Sequence, residues 1–274
     1  MPLFVLILLV LGLLPQGSRA GPPAPFRIVE DIQYQNVEPD ERADLYLPID
    51  SSTNVPRPLI IWMHGSGHDK AGARQEKICQ QLAAAGYIAV SINYGSWPDS
   101  DVGEQHSTRI LQNIANARNA VRFFRAHAAE YGIAPARVAL FGESAGAWLA
   151  LMSGLTDGDP AFDSTAPYPG VSSRVCAIGD LYSDVDGWMK SRITAKSPPV
   201  LIIQGKADPA VDYHEALDLD RSLVAARVPQ EIILLDNVGH GFDFTTWRHK
   251  PLPEDLRPIV FAFLKKYLGP PPHS

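Results

Sequence analysis

The sequence predicts an α/β protein, with a mostly parallel sheet covered by helices on both faces, and three observations carry that reading. From Leu59 onward, short apolar runs alternate with segments of helical periodicity. The runs Leu59–Met63, Val138–Phe141 and Pro199–Gln204 are apolar almost throughout, as strands buried on both faces are. Four polar segments, His64–Gly67, Ser144, Asp208 and His240, each follow such a run. In an open sheet of this class the loops at the C-terminal ends of the strands meet at one edge, where ligands bind.

Taken in order, the chain of 274 residues opens on an apolar run, Leu3 to Leu14, closed by Pro15 and followed by Ser18-Arg19-Ala20. This has the form of a signal peptide over residues 1–20 cleaved after Ala20, and a secreted or periplasmic protein is expected. The run is short for a membrane span, so no stable insertion is expected after cleavage. Residues 21–274 then form a single domain. Gly21 to Pro25 is an extended lead-in. Ile28–Tyr34 and Ala43–Leu47 read as strands around the turn Glu38-Pro39-Asp40, the second alternating as a half-buried strand does.

Leu59–Met63 is a buried strand ending in His64-Gly65-Ser66-Gly67. Gln75–Ala85 is a helix stopped by Gly86, and Tyr87–Ile92 is a strand. Ser107–Ala129 carries Ile110, Ile114, Ala117, Val121 and Phe124 on one helical face, with Arg118, Arg122 and Arg125 off it. Val138–Phe141 leads into a helix after Ser144. Val175–Ile178 and Pro199–Gln204 are strands, Tyr213–Ala225 a helix and Glu231–Leu235 a strand. A last helix on Leu256, Ile259, Val260, Phe263 and Tyr267 ends at Gly269-Pro270. The net charge is −6 with no basic stripe, which argues against nucleic acid as a partner.

The chemistry gathers at Gly142-Glu143-Ser144-Ala145-Gly146. A strand that reverses at once into a helix leaves no room for side chains at the flanking positions, so the two glycines let Ser144 hold a strained, exposed position. A serine hydroxyl needs a base. His240, between Gly239 and Gly241 after a strand, is the best placed histidine. The base needs a carboxylate to fix its tautomer, and Asp208 in Gly205-Lys206-Ala207-Asp208-Pro209 supplies it. Asp212 falls where a helix starts and reads as an N-cap; Asp236 stands only four positions before His240. The N–H groups of Ala145, Ser66 and Gly67 are the expected oxyanion donors.

Together these residues, with Ala43-Asp44-Leu45-Tyr46-Leu47-Pro48, Asn93-Tyr94 and Gly239-His240-Gly241-Phe242, resemble the α/β-hydrolase superfamily. Within it they are similar to hormone-sensitive-lipase-like carboxylesterases and to the bifunctional feruloyl and acetyl-xylan esterases. The resemblance implies an α/β-hydrolase fold with a minimal lid, the triad Ser144, Asp208 and His240, and a small-molecule ester or acylated carbohydrate as substrate. It implies no cofactor. Two positions depart from the pattern: Ser66 stands where a second glycine is usual, and Gly95 where arginine usually follows Asn-Tyr. A small exopeptidase of the same fold and a non-catalytic binding module on a hydrolase scaffold are the alternatives.

Trp97 and Trp148 are candidate substrate-binding residues, and Trp188 a third aromatic near the site. Asp180, Asp184 and Asp186 lack the later glutamate of a calcium loop, so no metal is expected. Cys79 falls on a helix and Cys176 in a strand, elements not expected to be adjacent, which argues against a bridge between them. The segments Ser96–Ser107, Asp157–Val171 and Cys176–Pro199 are short and polar, which predicts a site for small acyl groups.

Overall fold

The computed structural model describes residues 25–35, 41–49, 55–95, 104–159 and 167–272. The predicted leader and Trp97 lie outside the described residues. Strands β1 (Phe26–Gln33), β2 (Arg42–Pro48), β3 (Arg57–Met63), β4 (Ile88–Ile92), β5 (Ile133–Glu143), β6 (Ala177–Leu181), β7 (Val200–Gly205) and β8 (Gln230–Leu235) form one sheet in the order β1-β2-β4-β3-β5-β6-β7-β8. The β1–β2 and β2–β4 pairs are antiparallel, and every other pair is parallel.

The sequence reaches this sheet because its strands are apolar on both faces and split their side chains between two cores. Leu59, Ile61 and Met63 of β3 enter one core, Ile60 and Trp62 the other; Val138 and Leu140 of β5 part in the same way from Ala139 and Phe141. The first core is closed by α2 (Glu104–Ala126), α4 (Ala145–Leu155) and α6 (Tyr213–Ala225), the second by α1 (Ala73–Ala84) and α7 (Arg257–Leu268). Two short helices, α3 (Ala128–Tyr131) and α5 (Gly187–Lys190), complete the helical set among the described residues.

The direction of strand addition reverses at β3, which has β4 on one side and β5 on the other. The loop after β3 and the turn after β5 therefore open side by side at the switch point, where sheets of this class bind ligands.

Four details depart from the sequence expectation. Two of the three arginines set off the apolar face of α2 are buried. Arg118 is fully buried and Arg122 nearly so, because residues 171–174 fold over them. Arg118 Nε donates to Ser173 Oγ (3.0 Å), and Arg122 Nε to the Val171 carbonyl (3.1 Å). The long helix ends at Ala126, with His127 leading into the separate turn α3. Cys176 precedes β6 instead of lying in it, half-buried, its thiol donating to the Ala136 carbonyl (3.0 Å), and it is not bridged to Cys79. A small hairpin, β9 (Thr246–Trp247) and β10 (Lys250–Pro251), follows His240 where no element is predicted.

Candidate functional site

The turn between β5 and α4 is forced into a conformation that only its flanking glycines permit. Ser144 sits at φ 52°, ψ −123°, costly ground for a side-chain-bearing residue. A Cβ on Gly142 would lie 2.3 Å from the Gly146 carbonyl oxygen, and a Cβ on Gly146 only 2.2 Å from that of Met63. The turn is held from below: Ser144 N–H donates to the Leu181 carbonyl (2.9 Å), while Ala147 and Trp148 N–H donate to the Ser144 carbonyl (2.9 and 3.0 Å). The Ser144 hydroxyl is not used to cap α4. Ala145 is the first residue of that helix, so its N–H has no acceptor within the helix and carries the positive end of the helix dipole.

Glu143, next to the serine, is completely buried and ties four segments together. Its Oε1 accepts from Gln75 Nε2 (2.5 Å) and from Gly65 N–H (3.4 Å); its Oε2 accepts from Arg74 Nη1 (2.8 Å) and from the Tyr182 hydroxyl (2.6 Å). That hydroxyl also lies 2.8 Å from the Phe242 carbonyl, so its single proton serves two acceptors. Sequence reasoning missed this role. The only sign of it was a carboxylate at the end of an apolar strand.

The loop after β3 is fixed by the same hub. His64 lies buried in a ring stack with Tyr94 (centroids 4.4 Å apart), its Nδ1–H donating to the Gly65 carbonyl (2.9 Å) and its own carbonyl accepting from the Tyr94 hydroxyl (2.5 Å). Burial holds its pKa below the usual histidine value and favours the neutral ring. The Gly65 N–H is turned to Glu143, Ser66 and Gly67 are exposed, and Ser66 lines the cleft that contains Ser144.

Asp208 and His240, far apart in sequence, come together. Asp208 Oδ2 accepts from His240 Nδ1 at 2.7 Å and from Gln204 Nε2 at 3.2 Å, while Oδ1 accepts from the N–H groups of Ala210 and Val211 (2.8 and 3.0 Å). The carboxylate is shut off from solvent and the imidazole is 26% exposed. The two rival aspartates are engaged elsewhere. Asp212 caps α6 by accepting from His214 N–H. Asp236, 74% exposed, pairs with Lys206 (2.7 Å). Tyr182 touches both segments: its ring meets the His240 imidazole edge-on (4.7 Å) and its hydroxyl reaches Glu143, the residue before Ser144. No hydrogen bond joins Ser144 directly to His240 among the described residues.

Two depressions open here. The first, about 520 Å³, is lined by Ser144, Ala145, Ser66 and Val211, by Trp148, Trp188, Ile110 and Leu111, and by Asp184 and Asp186. Trp148 therefore lies at the site, its ring 5.9 Å from that of Trp188. The apolar wall is richer than the polar loops predicted, because Ile110 and Leu111 come from α2 and Val211 from the Asp208 loop. The aspartates considered against a calcium loop have local duties: Asp180 accepts from Ser183 N–H, and Asp186 caps α5. The second depression, about 500 Å³, contains His240 together with His68, Arg74, Lys77, Asp243, Arg248 and His249. No helix among the described residues is long and apolar enough to cross a membrane.

Comparison with known proteins places the fold and the family. The family model described as BD-FAE matches residues 43–192, more than half of the chain. Esterase LipC of Mycobacterium tuberculosis is 24% identical over 243 residues, covering 75% of this chain and 58% of its own length. The chain thus spans less than two thirds of that relative. Among solved structures, a truncated carbohydrate esterase from gut microbiota superposes with a TM-score of 0.73 at 20% identity, covering 90% of this chain and 98% of its own. An esterase of Thermogutta terrifontis, solved with propionate bound, gives a TM-score of 0.70 at 22% identity over 92% of this chain and 98% of its own. The same enzyme has been solved with butyrate and after phosphorylation by paraoxon. The fold is that of the α/β-hydrolases.

Proposed function

We propose, from the premise that this chain belongs to the BD-FAE family, that it is a serine carboxylesterase acting on small acyl esters. The observation that carries this reading is the pairing of an elbow-held Ser144 with an Asp208–His240 hydrogen bond at the same sheet edge.

In the proposed reaction His240 Nε2 takes the Ser144 hydroxyl proton as Oγ attacks the ester carbonyl. The resulting oxyanion accepts from Ala145, Ser66 and Gly67 N–H. Asp208 holds the proton on Nδ1 and balances the imidazolium. The C–O bond to the alcohol then breaks as His240 returns its proton to the leaving oxygen. The acyl group stays on Ser144 until a water, deprotonated by His240, releases it as the acid. The paraoxon-phosphorylated structural relative supports a nucleophile of this kind.

Acetyl to butyryl esters are the proposed substrates, a reading supported by the propionate- and butyrate-bound relative. Acylated carbohydrates are the proposed natural class, in keeping with the gut carbohydrate esterase. Export, with cleavage after Ala20, belongs to the same proposal and rests on the apolar run Leu3–Leu14.

A fluorophosphonate probe is expected to label wild-type protein at Ser144 and to leave Ser144→Ala unlabelled. With p-nitrophenyl esters from acetate to palmitate, kcat/KM is expected to peak by butyrate and to fall beyond about six carbons, a cutoff set by the ~0.8 kcal/mol that each further methylene gains only if it is buried. Labelling of Ser144→Ala would overturn the mechanism; a maximum at octanoate or longer would overturn the acyl assignment.

A further inference from the structure

We propose that the depression on the His240 side is a subsite for an anionic alcohol, so that esters whose alcohol part bears a carboxylate or phosphate are the favoured substrates. This rests on the assignment of Ser144 and His240 above.

The two depressions carry opposite charge. The one containing Ser144 has two carboxylates on its lining, Asp184 and Asp186, and no lysine or arginine. The one containing His240 has Arg74, Lys77 and Arg248, with His68 and His249 beside them. This concentration of cations is not the background of the chain, whose net charge is −6. Arg74 is answered by the buried Glu143 (2.8 Å) and Lys77 by Asp243 (2.8 Å). Arg248 forms no ion pair among the described residues, and its guanidinium lies over the Trp247 ring, 4.7 Å from the centroid.

The position of Arg248 is built. Arg248 and His249 are the central residues of the β9–β10 hairpin, and both have positive φ, 49° and 61°. Such turns are normally made by asparagine and glycine. Exposed side chains that bear that strain at the mouth of a depression are explained by what they do there. The hairpin is also tied to the base: Trp247 Nε1 donates to the His240 carbonyl (3.0 Å). Lys77 reaches both Asp243 and Thr246 Oγ1 (2.9 Å), which fixes the turn that leads into the hairpin.

Chemistry decides which half of the ester meets this surface. His240 must protonate the leaving oxygen, so the group carried by that oxygen extends past the imidazole. The acyl group stays with Ser144, among the tryptophans and the two aspartates. An anion on the alcohol side therefore meets Arg248, His68 and His249, whereas an anion on the acyl side meets Asp184 and Asp186.

The test compares acetate esters of one phenol skeleton: 4-acetoxyphenylacetate, its uncharged amide, and the corresponding phosphonate. The methylene insulates the reacting phenol from the charge. The ratio of kcat/KM, anion over amide, is expected to reach about tenfold at low ionic strength and to shrink toward unity at 0.5 M salt, where the Debye length is roughly 4 Å. Comparing the carboxylate with the phosphonate distinguishes an acidic sugar from a phosphorylated polyol as the source of the anion. Arg248→Gln is expected to lower the ratio, whereas Lys265→Gln, an exposed cation on α7, leaves it unchanged. A ratio at or below unity in wild-type protein that hydrolyses the amide would overturn the subsite and spare the esterase reading. Equal loss in both variants would reduce it to a net-charge effect and overturn it as well. Absence of any ester hydrolysis would overturn both.

Discussion

The two sides of the site are strained for different reasons. On the Ser144 side the strain is enclosed: Ser144 at φ 52° is clamped between Gly142 and Gly146, whose missing side chains leave room only for carbonyl oxygens. On the His240 side the strain is exposed. Arg248 and His249 hold positive φ on a hairpin tip where no close contact forbids glycine. The elbow shows strain imposed by packing, so that Ser144, the proposed nucleophile, is held at one point. The hairpin shows strain accepted for the sake of side chains. If that distinction is right, relieving the first should damage the protein and relieving the second should stabilise it.

The largest effect is expected where the two sides meet, at Asp208. Its Oδ1 is fixed as an acceptor by the N–H groups of Ala210 and Val211. In Asp208→Asn the amide oxygen must stay there, which turns the NH₂ toward His240 Nδ1. The imidazole then has to present a lone pair to that NH₂ and carry its proton on Nε2, where a base needs none. A fall in kcat of about 10⁴-fold is expected, with little change in Tm, by analogy with the same change in a serine protease. Asp236→Asn, which removes only an exposed pair with Lys206, should cost almost nothing. Steady-state kinetics on p-nitrophenyl acetate decides between them.

Next in size is the elbow itself. In Gly146→Ala the new methyl would stand 2.2 Å from the Met63 carbonyl oxygen and 2.4 Å from that of His64. Both belong to the backbone at the end of β3, so the strand end or α4 must move. A loss of about 3 kcal/mol is expected from overpacking of this kind, read as a lower midpoint in urea. An unchanged midpoint would mean that the elbow is less closely packed than its geometry says.

These residues also mark what was legible in the sequence. The alternation of strands and helices, the glycine-flanked turn at Ser144 and the candidate pair Asp208 and His240, which the structure joins by a hydrogen bond, could be read because each is a local signal at the end of an apolar run. The N-cap role of Asp212 was legible for the same reason. Glu143 was not, because its partners, Gln75, Arg74 and Tyr182, come from other elements. The burial of Arg118 is equally non-local, for it depends on residues 171–174 closing over α2. The β9–β10 hairpin escaped notice because its strands are two residues long and its turn lacks the Asn-Gly signature.

A pH effect of intermediate size belongs to the Ser144 side. Burial, together with the hydrogen bond to Asp184, pushes the Glu215 carboxyl up to about 7 from 4.5, against the Val185 N–H that it accepts. The folded protein therefore binds a proton more tightly than the unfolded chain does, and this contribution to stability is fully present below about 4.5 and lost as pH rises through about 7. Urea midpoints measured from pH 4.5 to 7.5 should show a smaller decline with pH in Glu215→Gln than in wild type. An identical slope in the two proteins would remove Glu215 from the account.

The smallest effect is the one that tests the comparison most directly. Replacing Arg248 by Asn and His249 by Gly gives the hairpin the turn that two positive φ angles favour. Each native residue pays for its backbone position, and glycine does not. The arginine also gives up its place over the Trp247 ring, worth about 0.5–1 kcal/mol at an exposed site. Relief of strain at two residues, of order 1 kcal/mol each, should outweigh that loss and leave a net gain near 1 kcal/mol. In a chain of this size such a gain raises Tm by about 2–4 °C. Differential scanning calorimetry can resolve it, and the preference for anionic alcohols should fall in the same variant. A rise in Tm together with a loss of that preference is what a turn kept strained for its side chains requires. A fall in Tm would mean that Arg248 and His249 hold the hairpin together, and the two sides of the site would then be strained for the same reason.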